Sequence, residues 1–264
     1  MKLNVLLPSR GRPKRLISAV TLMHQKTSGR HDVSYIIGCD SDDPETIAAV
    51  YALSLKVPNV RPYCTVRLPS LGEMANRMAE RFPADVYASL PDDVEIITQN
   101  WDYAIYASWM QRPDGVWWWH TETKAACPVV SEKWRSAAGG IYTDYFPFWW
   151  DDCWLMQVWI MASGGGCLGL PATLEDKAYL THRMRDLKFW TDFYVNRKEE
   201  RWQRAEQIAA KLGWPKPQRG EVLGDVNDDF WGRIESIQEK QGDRGEPTQE
   251  YLKAKRRAEL LMAA

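Results

Sequence analysis

Long apolar runs, paired cysteines and net charge are all scarce in this 264-residue chain. No apolar stretch approaches the roughly 20 residues that a membrane helix requires, so no membrane partner is expected. The opening segment, MKLNVLLPSRGRP, meets Pro8 and two arginines too early for the core of a secretory leader. The five cysteines (Cys39, Cys64, Cys127, Cys153 and Cys167) are odd in number and form no C-x-x-C pair. That argues against a disulfide framework or a cysteine zinc site and suits reduced thiols in a cytoplasm. A formal net charge of −1 gives no global attraction to nucleic acid or to a membrane surface. Internal repeats and low-complexity tracts are missing as well.

Tryptophan is what the chain has in excess. Ten of its 14 indoles lie between Trp101 and Trp159, including the runs VWWWH and FWWDDCW. Most belong to a bulky core, but indole faces also stack on sugars and bases, so exposed members could form an acceptor platform. The length suits one large domain, or one domain with a modest appendage, and is ample for a sizeable core.

The first hundred residues alternate between two periods. KLNVLLP, DVSYIIGCD, NVRPYCTVRL and ADVYASL read as strands. RLISAVTLMHQK places Leu16, Ala19, Val20 and Met23 on one helical face, and DPETIAAVYALSL opens with acidic residues suited to a first helical turn. SLGEMANRMAERF carries a capping-box pattern, Ser70 with Glu73 three residues on. This alternation predicts an α/β fold with a mostly parallel, helix-flanked sheet of Rossmann-like type.

Further on, TQNWDYAIYASWMQ reads as a helix capped near Thr98 or Asn100. GVWWWH and CPVVS read as strands, and DDCWLMQVWIMAS as a buried helix whose cap is Asp151 or Asp152. SGGGCLGLP reads as a turn region. NRKEERWQRAEQIAAKLG is a charged helix ending at Gly213, residues 215–247 read as loops, and PTQEYLKAKRRAELLMAA as a terminal helix. These divisions suggest a domain over residues 1–194, with halves 1–97 and 98–194, and a charged helical extension over 195–264.

In an open parallel sheet, ligands bind beyond the carboxyl ends of the strands. Three polar clusters fall at such ends: PSRGRP after the first strand, CDSDDPE after the second and PDDVE after the fourth. Each alone is also a sound turn or helix-entry sequence. Their recurrence at one edge of one sheet is what points to a site.

The order of these features resembles the GT-A fold glycosyltransferases that use nucleotide-diphosphate sugars, in particular the soluble, phage-type members related to family 2. The resemblance runs over roughly residues 3–190. It rests on Pro8-Ser9-Arg10 closing the first strand, Asp40 closing the second, Ala75-Asn76 on the following helix, the Asp-rich LPDDVEI, the acidic pair of WWDDCWL, and His182 in LEDKAYLTHRMRD. It implies that Pro8, Ser9, Arg10, Arg12, Asp40, Asn76 and Asp92 meet a UDP-sugar donor, Asp40 through the nucleobase. It also implies a divalent cation, Mn2+ or Mg2+, at Asp93, Asp92 and His182. A hard cation held by carboxylates and phosphates neutralises the diphosphate as it leaves, and an imidazole ligand would tilt the choice toward manganese. The family's Asp-x-Asp stands here as Pro91-Asp92-Asp93, which leaves open which carboxylate is the principal ligand. Inverting members use an acidic base after a Gly-rich acceptor region. Asp152 is the first candidate here and Asp151 the second, with the helix-cap role open to either. The Gln-x-x-Arg-Trp signature of processive synthases is missing, so a single-addition transferase is expected.

Between Lys177 and Arg219 eleven basic residues face five acidic ones, a local +6. A basic stripe beside Trp119, Trp149 and Trp150 would suit a polyanionic acceptor, and some phage enzymes of the family glycosylate hydroxymethylated pyrimidines in DNA. A carbohydrate or small acceptor is the alternative, and solvated helix charge the simpler account of the stripe. Two readings outside the family are a metal phosphoesterase, for which no second ligand set is found, and a non-catalytic sugar- or nucleic-acid-binding module, which leaves the acidic clusters unexplained.

Overall fold

The computed structural model describes residues 1–121, 127–147, 150–176, 186–220 and 246–263, and these form two compact units. The first contains β1 (Lys2–Ser9), α1 (Pro13–Gln25), β2 (Asp32–Asp40), α2 (Pro44–Ser54) and β3 (Val60–Thr65). It continues through most of α3 (Leu71–Arg81), then β4 (Val86–Ser89), β5 (Val94–Ile96), α4 (Trp101–Gln111), β6 (Val116–His120), β7 (Pro128–Ser131) and α5 (Glu132–Ala138), and takes in β8 (Leu168–Asp176). The strand order is β3-β2-β1-β4-β7-β6-β8-β5.

The front half of that sheet is parallel throughout, β1 pairing with both β2 and β4, and β2 with β3. β1 and β2 are buried along nearly their whole length because both faces are covered. That explains why their sequences are continuous apolar runs with no alternation. Beyond β4 the sheet is mixed: β7 is antiparallel to β4 and β6, β8 runs parallel to β6, and β5 runs antiparallel to β8. One continuous apolar cluster joins Leu3, Val5 and Leu7 of β1 to Tyr35 and Ile37 of β2, and extends to Trp101, Trp117 and Trp119.

The residues that follow PDD form β5, three residues long. Its partner β8 was not expected; the LGLPATLED segment is a strand where the Gly-rich stretch suggested only a turn. Trp118 pairs with Gly169 and His120 with Thr173, so β8 bulges and Pro171 lies within the irregularity. α5 was also unexpected; Ser131 accepts from the Trp134 amide at its start and Gly139 closes it with φ 74°.

The second unit contains α6 (Asp151–Ser163), α7 (Leu187–Asn196), α8 (Lys198–Leu212) and α9 (Gln249–Ala263). It is built on aromatic packing. Phe146 lies within 5.6–6.3 Å, centroid to centroid, of Trp154, Trp190, Phe193 and Tyr194. The Arg201 guanidinium is fully interior, 3.9 Å from the Tyr194 ring centroid and bonded to the Tyr194 carbonyl. An interior cation is tolerable there because aromatic faces and a carbonyl replace part of its hydration.

Candidate active site

The loop from Ser9 to Arg12, between β1 and α1, is fastened at three points. Arg10 forks onto Asp40, at 2.9 Å, and Asp42. The Gly11 amide donates to Asp43 Oδ2 at 2.6 Å. Arg12 turns the other way, its Nη2 lying 2.5 Å from Asp92 Oδ1 and its Nη1 2.8 Å from Asp93 Oδ2. Gly11 carries φ +67°, a conformation that glycine adopts without cost and that sends the two arginines to opposite acidic clusters. Asp43 also caps α2 by accepting from the Thr46 amide, so the loop rests on a helix N-terminus. Burial pushes the Asp43 carboxyl up, but its bonds from Thr46 and the Gly11 amide bring it below the usual carboxylate range. Asp42 is held low by the hydrogen bond from Arg10.

Asp92 is almost fully buried, at 1% exposure. Its Oδ2 accepts from the Ser9 hydroxyl at 2.6 Å, while Oδ1 faces Arg12 at contact distance without hydrogen-bond geometry. Burial raises its pKa against the Ser9 bond and the Arg12 charge. Asp93 is the more open of the two, its side chain 14% exposed. The structure therefore gathers Ser9, Arg12, Asp92 and Asp93 into one cluster and Arg10, Asp40 and Asp42 into another, with Pro8 in β1 beside them in sequence.

In the second unit, Asp151 and Asp152 form the first turn of α6 but neither is its cap. The cap position belongs to Trp150, in the left-handed region at φ 80° with its ring stacked on Tyr194 at 4.5 Å. A bulky residue in that conformation is strained, and the stacked, buried ring holds it there. Asp152 Oδ1 bends back to the Cys153 amide at 2.9 Å. Asp151 Oδ1 accepts from Thr143 Oγ1 at 3.0 Å. Its Oδ2 lies so close to Gly72 that a Cβ there would be 2.7 Å away, so only glycine leaves room for that oxygen. Burial raises the pKa of both carboxyls; that of Asp151 rises well above the usual range, with the Asp152 and Asp144 charges adding to burial and only Thr143 opposing it.

Several expected contributors have other work. Asn76 Oδ1 accepts from the Ile141 amide at 2.7 Å, and a Cβ on Gly140 would crowd its side chain, so Asn76 anchors the chain after α5. Asn76→Ala should cost about 1–3 kcal/mol in denaturant unfolding, because it strands a buried amide. Asn76→Asp, which keeps the acceptor, should restore most of that. Trp119 and Trp150 are interior, at 2% and 4% exposure, so neither offers an open face for stacking. Aromatic packing absorbed both, which local sequence could not distinguish from surface display. His182 and Trp149 lie outside the described residues. Within the basic stripe, Arg201 is interior, Arg197 pairs with Glu200, and Arg219 pairs with Glu199 and Glu206. Sequence reasoning missed Thr143 and Gly72 beside Asp151, since neither has a motif, and missed Asp42 as the second partner of Arg10.

No family model matches the sequence, and no curated protein matches it. Solved structures do. A mannosyltransferase from Pyrobaculum calidifontis, in complex with GDP-Man and Mn2+, aligns with TM-score 0.56 and 13% identity over 99% of this chain and 75% of its own. TarS of S. aureus, residues 1–349 in complex with UDP, aligns with TM-score 0.54 and 13% identity over 92% and 74%. GalNAc-T7 with UDP, GalNAc and Mn2+ aligns with TM-score 0.62 and 12% identity over 93% of this chain and 55% of its own. The chain has the GT-A fold.

Two of these GT-A structures hold Mn2+. Among the described residues of this chain no group of three His, Cys, Asp or Glu side chains could hold a metal. Asp92 and Asp93 nevertheless already embrace a cation, the Arg12 guanidinium, so their oxygens are set toward positive charge. Two carboxylates are enough for a hard divalent ion that arrives with phosphate oxygens to complete its coordination. The donor set fits such an ion and is not a cage for a bare one. No helix among the described residues is long and apolar enough to cross a membrane.

Proposed function

We propose that the protein is a glycosyltransferase that moves a sugar from a nucleotide diphosphate of UDP type to an acceptor hydroxyl. The observation that carries the reading is the Ser9–Arg12 loop, which sets one arginine at Asp40, the last residue of β2, and the other at Asp92 and Asp93 beyond β4. That is the carboxyl edge of the parallel half-sheet, where ligands of such sheets bind. Mn2+ or Mg2+ held by Asp93 and Asp92 together with the donor would supply positive charge against the departing diphosphate.

The chain's own groups do the rest. Asp40 offers a carboxylate to the N–H of a nucleobase, and Arg10 and Arg12 offer paired N–H donors to phosphate oxygens. Asp151 takes the acceptor proton as the new bond to the anomeric carbon forms, and the electrons of the sugar–phosphate bond leave with the diphosphate. Attack opposite the leaving group inverts the anomeric centre. Asp151 is preferred to Asp152 because Asp152 is turned back on the Cys153 amide, whereas Asp151 is held by the Thr143 hydroxyl with its other oxygen beside Gly72.

Thermal-shift measurements with UDP and GDP, with and without Mn2+, test this. Metal-dependent stabilisation by one nucleotide is expected, and no response to either would end the reading. For the acceptor, a hydroxymethylated pyrimidine in DNA draws support from the basic count over residues 177–219. The ion pairs of Arg197 and Arg219 and the burial of Arg201 favour a carbohydrate or small acceptor. Mass spectrometry of both acceptor classes after incubation with a nucleotide-sugar panel separates them.

A further inference from the structure

Arg12 stands where a divalent cation would have to go. Its guanidinium spans both carboxylates of the pair, and one of them, Asp92, is buried with an oxygen that has no hydrogen-bond partner besides this contact. A cation entering alone would have to displace that guanidinium, leave it without a counter-charge, and accept only two protein carboxylates in return. A nucleotide diphosphate removes both difficulties. Its phosphate oxygens complete the coordination of the ion, and its negative charge gives Arg12 a new bidentate partner. The loop is built for such an exchange, because the bonds of Arg10 to Asp40 and Asp42 and of the Gly11 amide to Asp43 hold the backbone before Arg12 independently of it.

We propose that Arg12 is an exchangeable counter-ion: it neutralises Asp92 and Asp93 in the empty protein and passes to the donor diphosphate when a divalent cation takes the carboxylates. Cation and nucleotide then bind as a coupled pair, each more weakly alone. This rests on the nucleotide-sugar reading above and goes beyond it, since it names the residue that makes the two ligands interdependent.

Electron paramagnetic resonance of free Mn2+ tests it without any transfer assay. For the wild-type protein, saturating UDP should tighten Mn2+ binding by about 5- to 150-fold, and Mn2+ should tighten UDP by the same factor, because such coupling is reciprocal. Arg12→Gln should bind Mn2+ alone at least about tenfold more tightly than wild type, since a like charge at contact distance has been removed. In that variant the gain from UDP should shrink. Arg10→Gln, a charge deletion on the same loop directed to Asp40 and Asp42, should change Mn2+ affinity by less. Should Arg12→Gln prove unfolded by circular dichroism, Arg12→Lys serves in its place: a single ammonium cannot fork across both carboxylates, and coupling should fall between wild type and none. The proposal is overturned if wild type binds UDP yet binds Mn2+ equally with and without it, or if Mn2+ alone binds the folded Arg12 variant no better than wild type. Failure of wild type to bind UDP or GDP under any condition would instead remove the underlying nucleotide-sugar reading.

Discussion

Asp151→Asn is expected to lower the transfer rate by about 10²- to 10⁴-fold, the usual contribution of a positioned general base, while nucleotide affinity stays near wild type. The substitution is nearly isosteric: the amide oxygen still accepts from Thr143 Oγ1, and the NH2 takes the place of Oδ2 beside Gly72. Stability should move in the opposite direction to activity. In the folded chain burial, together with the Asp152 and Asp144 charges, holds the Asp151 pKa well above its ordinary value. Between the ordinary and the raised pKa the folded state keeps a proton that the unfolded state has lost, so stability falls as pH rises through that window. The amide has no such proton to lose. Asp151→Asn should therefore melt at a higher temperature than wild type above the window and at about the same temperature below it. For the wild-type protein, the proposed transfer should rise with pH through the same raised pKa, since only the ionised carboxylate accepts the acceptor proton. Rates with Asp151→Asn and Asp152→Asn, measured across pH, decide between the two. A loss below tenfold at Asp151 with a larger loss at Asp152 would move the base by one residue.

The parts of this fold that were legible in the sequence are those whose burial is uniform. β1 and β2 are covered on both faces, so KLNVLLP and DVSYIIGCD could hardly be anything but interior strands. The Ser70 cap is also legible, its hydroxyl accepting from the Glu73 amide at 2.9 Å. What was not legible depends on partners distant in sequence. β8 carries Gly169 and Pro171, both strand-breaking by local preference, and is a strand because β6 and β5 flank it. α7, LKFWTDFYVN, reads as an undifferentiated aromatic run because Trp190, Phe193 and Tyr194 are all interior. The cap of α6 was misplaced onto an aspartate because nothing local says that Trp150 will be held in the left-handed region by the ring of Tyr194, far along the chain. The acidic clusters were placed correctly as strand-end features, but their pairing was not foreseen. A sequence shows Arg10 and Arg12 two residues apart, and the positive φ of Gly11 is what divides them between Asp40 and Asp92.

Asp93→Ala should abolish the Mn2+-dependent gain in UDP affinity, about 5- to 150-fold in wild type, and do so with little change in folding stability. The two carboxylates that the sequence left undecided differ in their surroundings. Asp92 is interior and its Oδ2 is committed to the Ser9 hydroxyl, so it serves the fold as well as the site. Asp93 is more open and pairs with the partly exposed Arg12, a pairing worth about 1 kcal/mol. Asp92→Ala should therefore cost about 1–3 kcal/mol in denaturant unfolding, because it strands the buried Ser9 hydroxyl and half of the Arg12 fork. Asp93→Ala should stay within about 1 kcal/mol of wild type. Calorimetric titration of UDP with and without Mn2+, run beside unfolding curves, gives both quantities for each variant. Retention of the Mn2+-dependent gain in Asp93→Ala and its loss in Asp92→Ala would make the buried carboxylate the principal ligand; retention in both would place the ion away from this pair. Arg12→Gln supplies the opposing control, since it should strengthen binding of Mn2+ alone where Asp93→Ala weakens it. That opposition follows from a single arrangement, one guanidinium held between two carboxylates, and a site in which the pair served structure alone would show neither effect.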